Sequence, residues 1–257
     1  MLIEPTVEQI LAYCAQDPIE RVFLEDVARR GFARFRAVEG ENGLAALCYF
    51  GANIVPSGQG CEAFAADAAA RGGRMIIGNE RAVTDLWESA RSVMARPRED
   101  RRGQPVYVIE EPPAPRSSGL REATQDDFDL LLPACAATYL EELGVDPLEH
   151  DAAGFRRRTA AQIEEGRSWL WVEDGTILFK AEASAWTPRA VQLQQVWVDP
   201  EVRRQGYGTR GLADLCRLLL VRTPSVTLFV RPENEAAIRL YERVGMQRVA
   251  SYRSVLF

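Results

Sequence analysis

The sequence predicts an α/β (α+β) fold in two parts, and three observations support this. Apolar runs typical of strands alternate with segments whose apolar residues recur at helical spacing along the 257-residue chain. The C-terminal part contains three consecutive strands joined by short turns, with Asp174-Gly175 as a strong hairpin signal. A segment with three prolines, Pro112 to Pro115, interrupts the chain. We therefore predict a smaller domain over 1–111, a linker over 112–118 and a second domain over 119–257.

Composition restricts the classes of partner. Hydrophobic residues make up 47% of the chain and charged residues 26%, which is typical of a protein with a packed core. The formal net charge is -6, and both halves carry an excess of acid, so nucleic acid is not expected as a partner. The sequence contains neither a signal-peptide pattern nor an apolar run of the ~18 residues that a membrane span needs. We expect no membrane association and a cytoplasmic location.

Cysteine and histidine usage disfavours several kinds of site. The five cysteines are odd in number and form no CxxC pair, which indicates a reducing compartment without a disulfide framework. His150 is the only histidine, so a histidine-based metal site is disfavoured. A Ser-His-Asp triad is also disfavoured unless His150 belongs to it. We expect no metal.

Strands and helices alternate in the N-terminal part. The run Arg96 to Gly103 is expected to be a solvated loop. The predicted helices are 7–14, 21–29, 62–70 and 80–94, and the predicted strands are 35–38, 44–50, 74–77 and 105–109.

The C-terminal part has a more regular pattern. Its predicted strands are 120–123, 169–173, 177–185, 191–198, 226–231 and most of 246–257. Its predicted helices are 126–143, 155–165, a helix that follows the loop after Asp199 and ends near Val221, and 235–244.

The loop after the strand that ends at Val198 carries the clearest functional signal. Gly206 and Gly208 allow a ligand to approach the backbone, and Arg203 and Arg204 bring positive charge. The helix that follows begins with unpaired N–H groups and the positive end of its macrodipole. Strand, basic loop and helix start together predict an anion site suited to a pyrophosphate.

Two other phosphate-binding motifs fit this loop less well. There is no GxxxxGK[ST] pattern, which disfavours a P-loop. Gly206, Gly208 and Gly211 match GxGxxG, but the strand before them comes late in a series of hairpins instead of opening a βαβ unit. A dinucleotide-binding site is the minority interpretation.

Two motifs together resemble one family. Arg203 to Gly208 resembles the Q/R-x-x-G-x-G/A motif of the GNAT N-acetyltransferases, and Asn234 to Met246 resembles their N-x-x-A-x-x-L-Y-x-x-x-G-F ending, with Met for Phe. The resemblance covers 117–257. It implies a GNAT fold, with a mixed, mostly antiparallel sheet flanked by helices, preceded by a smaller α/β domain that is itself GNAT-like. We place the strand-to-helix position of that first domain at Ile76 to Arg81, where Glu80 argues against coenzyme A.

The resemblance also implies a cofactor site and a proton donor. Tyr241 resembles the general acid that protonates the departing thiolate of coenzyme A, although a tyrosine on an apolar helix stripe is also typical of a core. Asn234 is a helix N-cap as well as a cofactor contact, and Gly245 ends that helix. The implied acetyl-CoA contacts are Val196, Trp197, Val198, Arg203, Arg204, Gln205, Gly206, Tyr207, Gly208, Thr209, Asn234 and Tyr241.

The general base is less evident. Many relatives carry a glutamate on the strand before the loop, where this chain has Gln192, which cannot accept a proton in that role. Glu182 on the neighbouring strand is the candidate by position; a base acting through water, or an amine that arrives neutral, remains an alternative. We predict transfer of an acetyl group to a primary amine of a small molecule or protein. The alternative is a non-catalytic acyl-CoA-binding module. A homodimer is left open.

Overall fold

A computed structural model describes residues 1–32 and 34–257. The N-terminal half begins with a short strand and two helices, and its long last strand leads into the linker. Its strands are β1 (Leu2–Ile3), β2 (Phe35–Gly40), β3 (Gly43–Phe50), β4 (Ile54–Gly58), β5 (Met75–Asn79) and β6 (Glu99–Ile109). Its α-helices are α1 (Val7–Cys14), α2 (Val22–Arg29), α3 (Ala65–Arg71) and α4 (Glu80–Ala90), with a 3₁₀ turn (Cys61–Phe64) before α3.

The C-terminal half repeats the same order of elements. Its strands are β7 (Leu120–Glu122), β8 (Ser168–Glu173), β9 (Thr176–Trp186), β10 (Ala190–Val198), β11 (Ser225–Phe229) and β12 (Gln247–Leu256). Its α-helices are α5 (Phe128–Leu143), α6 (Pro147–Glu164), α7 (Tyr207–Leu220) and α8 (Glu235–Val244), with 3₁₀ turns at Gln125–Asp127 and Pro200–Val202. Each half therefore runs strand, two helices, three strands, helix, strand, helix, strand.

The strands of the described residues, 1–32 and 34–257, join one 12-stranded sheet in which the two halves exchange their last strands. The order is β1-β2-β3-β4-β5-β12-β6-β11-β10-β9-β8-β7. The strand β12 lies beside β5 of the N-terminal half, with Tyr252 opposite Asn79, while β6 lies beside β11 of the C-terminal half, with Val106 opposite Phe229. Strand pairing thus crosses the predicted linker in both directions, and the domain division at 111 and 119 stays a prediction.

A buried arginine fixes the exchanged strand β12. Arg253 has no solvent exposure, and its guanidinium donates to both carboxylate oxygens of Asp100 on β6, at 2.8 and 2.7 Å. A further bond of 3.0 Å reaches the hydroxyl of Thr84 on α4. A buried charge of this kind is tolerated because a carboxylate pairs with it in bidentate geometry. One side chain therefore links β12 to two elements of the N-terminal half, β6 and α4.

The predicted mixed, mostly antiparallel sheet flanked by helices is confirmed, and most elements lie where the sequence places them. The predicted turn at Asp174-Gly175 joins β8 to β9, with positive φ values of 47° and 77° and with Glu173 opposite Thr176. Residues 110–119 lack regular structure. No helix within residues 1–32 and 34–257 is both long enough and apolar enough to cross a membrane.

Three predictions about elements are wrong. The strand β4 was missed. The segment Arg96 to Gly103 is not a solvated loop throughout, because β6 begins at Glu99, which pairs with Leu256 of the distant strand β12. The helix expected at 155–165 begins at Pro147, where the Asp146 side chain caps the N–H of Leu148 at 2.8 Å, and it is kinked at Asp151.

Candidate active site

The site begins where β10 and β11 separate. These parallel strands are paired only from Ala190 opposite Ser225 to Gln192 opposite Thr227. Beyond Gln192, β10 continues to Val198 without a partner on that side, and Val196 and Val198 are half-buried there. An unpaired strand edge offers N–H and C=O groups to a ligand. The splayed strand implied by the resemblance is present.

A bulge in β10 lies beside this opening. The register with β9 shifts between Gln194 and Trp197, and Gln195 has a positive φ of 50°, which is uncommon for a residue with a side chain. The fully buried ammonium of Lys180 donates to the Gln195 side-chain oxygen at 2.9 Å. The chain's one lysine thus holds the bulge in place.

The start of α7 presents free backbone donors. In the part of the chain that the structure describes, none of the consecutive N–H groups from Arg204 to Thr209 reaches an intramolecular acceptor. The first bond of the helix runs from the N–H of Arg210 to the carbonyl of Gly206 at 3.1 Å. Gly206 has a φ of 89°, and a Cβ at that position would meet nothing within 4 Å. The loop can therefore offer several amides, together with the helix dipole, to one anion.

The two arginines of the loop have different surroundings. Arg203 donates to both carboxylate oxygens of Glu141 at 2.9 and 3.0 Å and to the carbonyl of Val198 at 3.1 Å. This pair ties the loop to the end of α5 and offsets part of the charge that Arg203 brings. Arg204 adopts a left-handed conformation with a φ of 66°. The two arginines therefore differ: Arg203 is held in an ion pair with Glu141, and Arg204 is positioned by a left-handed backbone conformation.

One cavity of 1810 Å³ collects most of the predicted residues. Elements of both halves line it. Trp197 is also packed against the cluster under α5, and Asn234 caps α8 by accepting from the N–H of Ala237 at 3.1 Å. Gln205 is not among the lining residues. The predicted residues that line the cavity are Glu182, Val196, Trp197, Val198, Arg203, Arg204, Gly206, Tyr207, Gly208, Thr209, Asn234 and Tyr241.

Tyr241 reaches this cavity from α8. Its side chain is only 5% exposed, and its ring packs edge-on against Tyr107 with centroids 5.7 Å apart. Burial, followed by the negative charge of Glu142, raises the pKa of Tyr241 above its ordinary value. The phenol therefore keeps its proton at neutral pH, which a proton donor requires.

Glu182 is held in a buried network. Its carboxylate accepts from the Cys135 thiol at 3.0 Å and from the Gln194 amide at 3.3 Å, and the Lys180 ammonium lies 3.6 Å away. Burial raises the pKa of Cys135 to about 12, so the thiol remains protonated and available as that donor. With its oxygens engaged, Glu182 has the surroundings of a structural acid, and its role as base stays a prediction.

Sequence reasoning missed a second acid, Glu142, in the last turn of α5. It lines the same cavity, and its side chain is exposed to solvent. A glutamate near the end of a helix gives no signal in the sequence, because its neighbours come from distant strands.

The corresponding strand-to-helix position of the N-terminal half is also corrected. It follows β4, from Gly58 to Gly60, and not β5 at Ile76 to Arg81, because β4 is the fourth strand of its half as β10 is of the other. This loop carries no arginine or lysine. The backbone at Gly58 is so close to its neighbours that a Cβ would lie 2.3 Å from the carbonyl of Ala45.

The cleft beside that loop is bridged. The strands β4 and β5 are paired only at Ile54 and Ile76. Beyond this point Glu20 accepts from the Ser57 hydroxyl at 2.6 Å and from the Asn79 amide at 3.4 Å, so one carboxylate connects the two strands. Burial raises the pKa of Glu20. The expectation that no coenzyme A binds in this half stays a prediction.

Comparison with protein families gives one match in each half of the chain. Residues 130–246 match the acetyltransferase (GNAT) family, and residues 33–131 match a domain of unknown function, DUF4081. A search of curated proteins found no match.

Solved structures share the whole architecture. A GCN5-related N-acetyltransferase from Sphaerobacter thermophilus is 16% identical, covers 99% of this chain and 94% of its own, and superposes with a TM-score of 0.61. A GNAT acetyltransferase from Colwellia psychrerythraea is 12% identical, with coverages of 100% and 98% and a TM-score of 0.57. A tandem GNAT protein from the clavulanic acid biosynthesis pathway is 12% identical, with coverages of 98% and 94% and a TM-score of 0.56. At these identities the likeness establishes the fold.

Proposed function

We propose that this chain, whose residues 130–246 match the GNAT acetyltransferase family, transfers an acetyl group from acetyl-CoA to a primary amine of a small molecule or protein. The observation that carries the proposal is the placement of three features around one cavity. These are the free amides from Arg204 to Thr209, the unpaired edge of β10 and the buried phenol of Tyr241.

Each feature suits one part of the cofactor. The amides at the start of α7, with Arg204, would hold the diphosphate. The edge of β10 at Val196 and Val198 would bind the pantetheine amides, and Asn234 would contact the same arm. Acetyl-CoA supplies a thioester that an amine can attack directly. Tyr241 would donate its proton to the departing sulfur, because the thiolate develops charge as it leaves.

The test measures release of free coenzyme A from acetyl-CoA against a panel of primary amines. Tyr241→Phe should reduce turnover by about 10²-fold or more while coenzyme A still binds, because only the proton donor is removed. Tyr49→Phe, a half-buried tyrosine outside the cavity, is the matched control. Undiminished turnover in Tyr241→Phe would remove that residue from the mechanism. Tight binding of coenzyme A without turnover of any amine would favour the non-catalytic binding module.

A further inference from the structure

A polar cluster lies at the end of the cavity that belongs to the N-terminal half. Residues of β4 and β5 line this end, where the two strands are paired only at Ile54 and Ile76. The cluster consists of one acid, two amides and three hydroxyl groups, and four of its six side chains are buried. Its members are Glu20, Ser57, Asn79, Gln104, Tyr252 and Ser254. Convergent polar groups in a cavity are typical of a place that orients a ligand.

The carboxylate of Glu20 has no cationic partner. It accepts from the Ser57 hydroxyl at 2.6 Å and from the Asn79 amide at 3.4 Å, but no arginine or lysine of the described residues, 1–32 and 34–257, forms an ion pair with it. The guanidinium of the adjacent Arg21 donates instead to the Ser57 hydroxyl at 3.2 Å and to the carbonyl of Tyr13 at 2.6 Å. A partly buried carboxylate of this kind is stabilised by a cation that a ligand brings.

Gln104 supplies a second acceptor to the cluster. Its side chain is only 2% exposed, and its amide donates to the Ser254 hydroxyl at 2.8 Å. Its carbonyl oxygen receives no hydrogen bond from any residue that the structure describes, although the side chain lines the cavity. A buried acceptor without a donor is costly, so a ligand N–H that reaches it is bound favourably. An open carboxylate and an open carbonyl together suit an ammonium group.

Tyr252 connects the two acceptors and points toward the other end of the cavity. It lies opposite Asn79 of β5 and opposite Gln104 of β6, and its hydroxyl donates to the carbonyl of Glu20 at 3.0 Å. On the far side its ring packs against Phe229 of β11, with centroids 5.2 Å apart. The cluster and the cofactor strands are thus parts of one continuous row across the sheet.

The sheet sets the distance between the two ends of the cavity. In the strand order β5-β12-β6-β11-β10, β5 is three separations from β11 and four from β10. At about 4.8 Å per separation, the cluster lies ~14–19 Å from the strands that would hold the thioester. The cavity of 1810 Å³ exceeds the roughly 300–1,000 Å³ of a site for one small ligand, so it has room for an acceptor of this length beside the cofactor.

We propose that this end of the cavity is a second subsite for the acceptor, in which Glu20 and Gln104 bind an ammonium group far from the amine that is acetylated. The inference rests on the proposed acetyltransferase function and names its substrate class: a long small-molecule amine with a second cation at its other end. Glu20 and Gln104 determine specificity, because they contact the distant group and not the reacting atoms.

The experiment compares 1,12-diaminododecane with 12-amino-1-dodecanol, which has a hydroxyl in place of one ammonium at the same reach. The unchanged protein should favour the diamine in kcat/KM by about 10- to 100-fold, because a charge-assisted hydrogen bond is replaced by a neutral one in the amino alcohol. The short pair, 1,4-diaminobutane and 4-amino-1-butanol, should show no such preference, because neither spans the cavity. Equal kcat/KM values for the long pair, or the same preference in the short pair, would overturn the subsite.

Variants assign the preference to the two residues. Glu20→Gln keeps an acceptor for the Ser57 hydroxyl and removes only the charge, so the preference for the long diamine should fall to about one. The double variant Glu20→Gln/Gln104→Glu moves the carboxylate across the subsite and should recover part of that preference. Glu62→Gln, at an exposed position outside the cavity, is the matched control and should keep it. A preference that survives Glu20→Gln in full would contradict the assignment.

A binding measurement separates this inference from the transfer proposal. Titration calorimetry of 1,12-diaminododecane into the protein saturated with coenzyme A involves no acetyl transfer. The diamine should bind Glu20→Gln about 10-fold or more weakly than the unchanged protein, and equal affinities would overturn the subsite. If binding depends on Glu20 but acetyl-CoA yields no acetylated diamine, the transfer proposal fails and the cation subsite is supported.

Discussion

Replacing Arg253 by methionine tests whether the exchange of closing strands stabilises the molecule. The substitution keeps an apolar side chain of similar length but removes the two bonds to Asp100 and the bond to Thr84. Breaking a buried ion pair by removing one partner costs about 3–5 kcal/mol. The Asp100 side chain is 30% exposed, so water compensates part of the loss and we expect about 3 kcal/mol. At about 2–4 °C per kcal/mol, the Tm should fall by roughly 6–12 °C.

The assay is urea unfolding followed by circular dichroism, with Arg248→Met as the matched control in the same strand. Arg248 is exposed, and its guanidinium donates to the Ser251 hydroxyl at 2.9 Å, so its replacement should cost less than about 0.5 kcal/mol. Replacing Asp100 with a neutral residue in the Arg253→Met background should recover part of the lost free energy of unfolding. Equal free energies of unfolding for Arg253→Met and Arg248→Met would refute the claim that the buried pair fixes β12.

Two further predictions concern packing and pH. Gly211→Ala should lower stability by about 1–3 kcal/mol in thermal unfolding, because its Cβ would lie 2.5 Å from the ring of the fully buried Phe179; a Tm equal to that of the unchanged protein would contradict this. The hydrogen bonds from Arg121, chiefly, lower the pKa of Asp127 to about 2, so this carboxylate stabilises the fold above the ordinary aspartate pKa and the gain is lost as pH falls through about 2. Asp127→Asn should therefore lower the Tm at pH 7 and make little difference at pH 2, and a loss of similar size at both values would contradict the assignment.

Local signals explain where sequence reasoning was accurate. The bounds of α1 and α8 agree with the prediction residue for residue. Thr6 and Gln9 form a capping box at the start of α1, while Asn234 caps α8 and Gly245 ends it with a φ of 102°. Such helix ends are determined by residues within one turn, so the chain alone reveals them. The loop before α7 was found for the same reason.

Contacts between distant segments explain what was missed. The strand β4 contains Pro56, which normally argues against a paired strand, and only its position beside Cys48 of β3 makes it one. The start of β6 is polar in sequence and becomes a strand because β12 is available to pair with it. The exchange of closing strands leaves no trace in composition or periodicity.

The two acids of the cavity show the same limit within the site. Glu182 was favoured because it lies near the loop in the strand order, and the structure places it in a network with Cys135 and Lys180. Glu142, the second acid of the cavity, lies at a helix end whose carbonyls accept from arginines of β6 and from beyond β11, which the sequence does not connect with α5. Burial and charge at a single position are properties of the assembled fold.

Binding of coenzyme A by the intact protein, measured by titration calorimetry, tests the central claim most directly. The amides from Arg204 to Thr209 are assigned to the diphosphate, so coenzyme A should bind, and pantetheine, which lacks the diphosphate, should bind far more weakly. The affinity for coenzyme A should also fall as salt concentration rises, because charge contributes to it. No heat of binding for coenzyme A, or equal affinities for coenzyme A and pantetheine, would contradict the account.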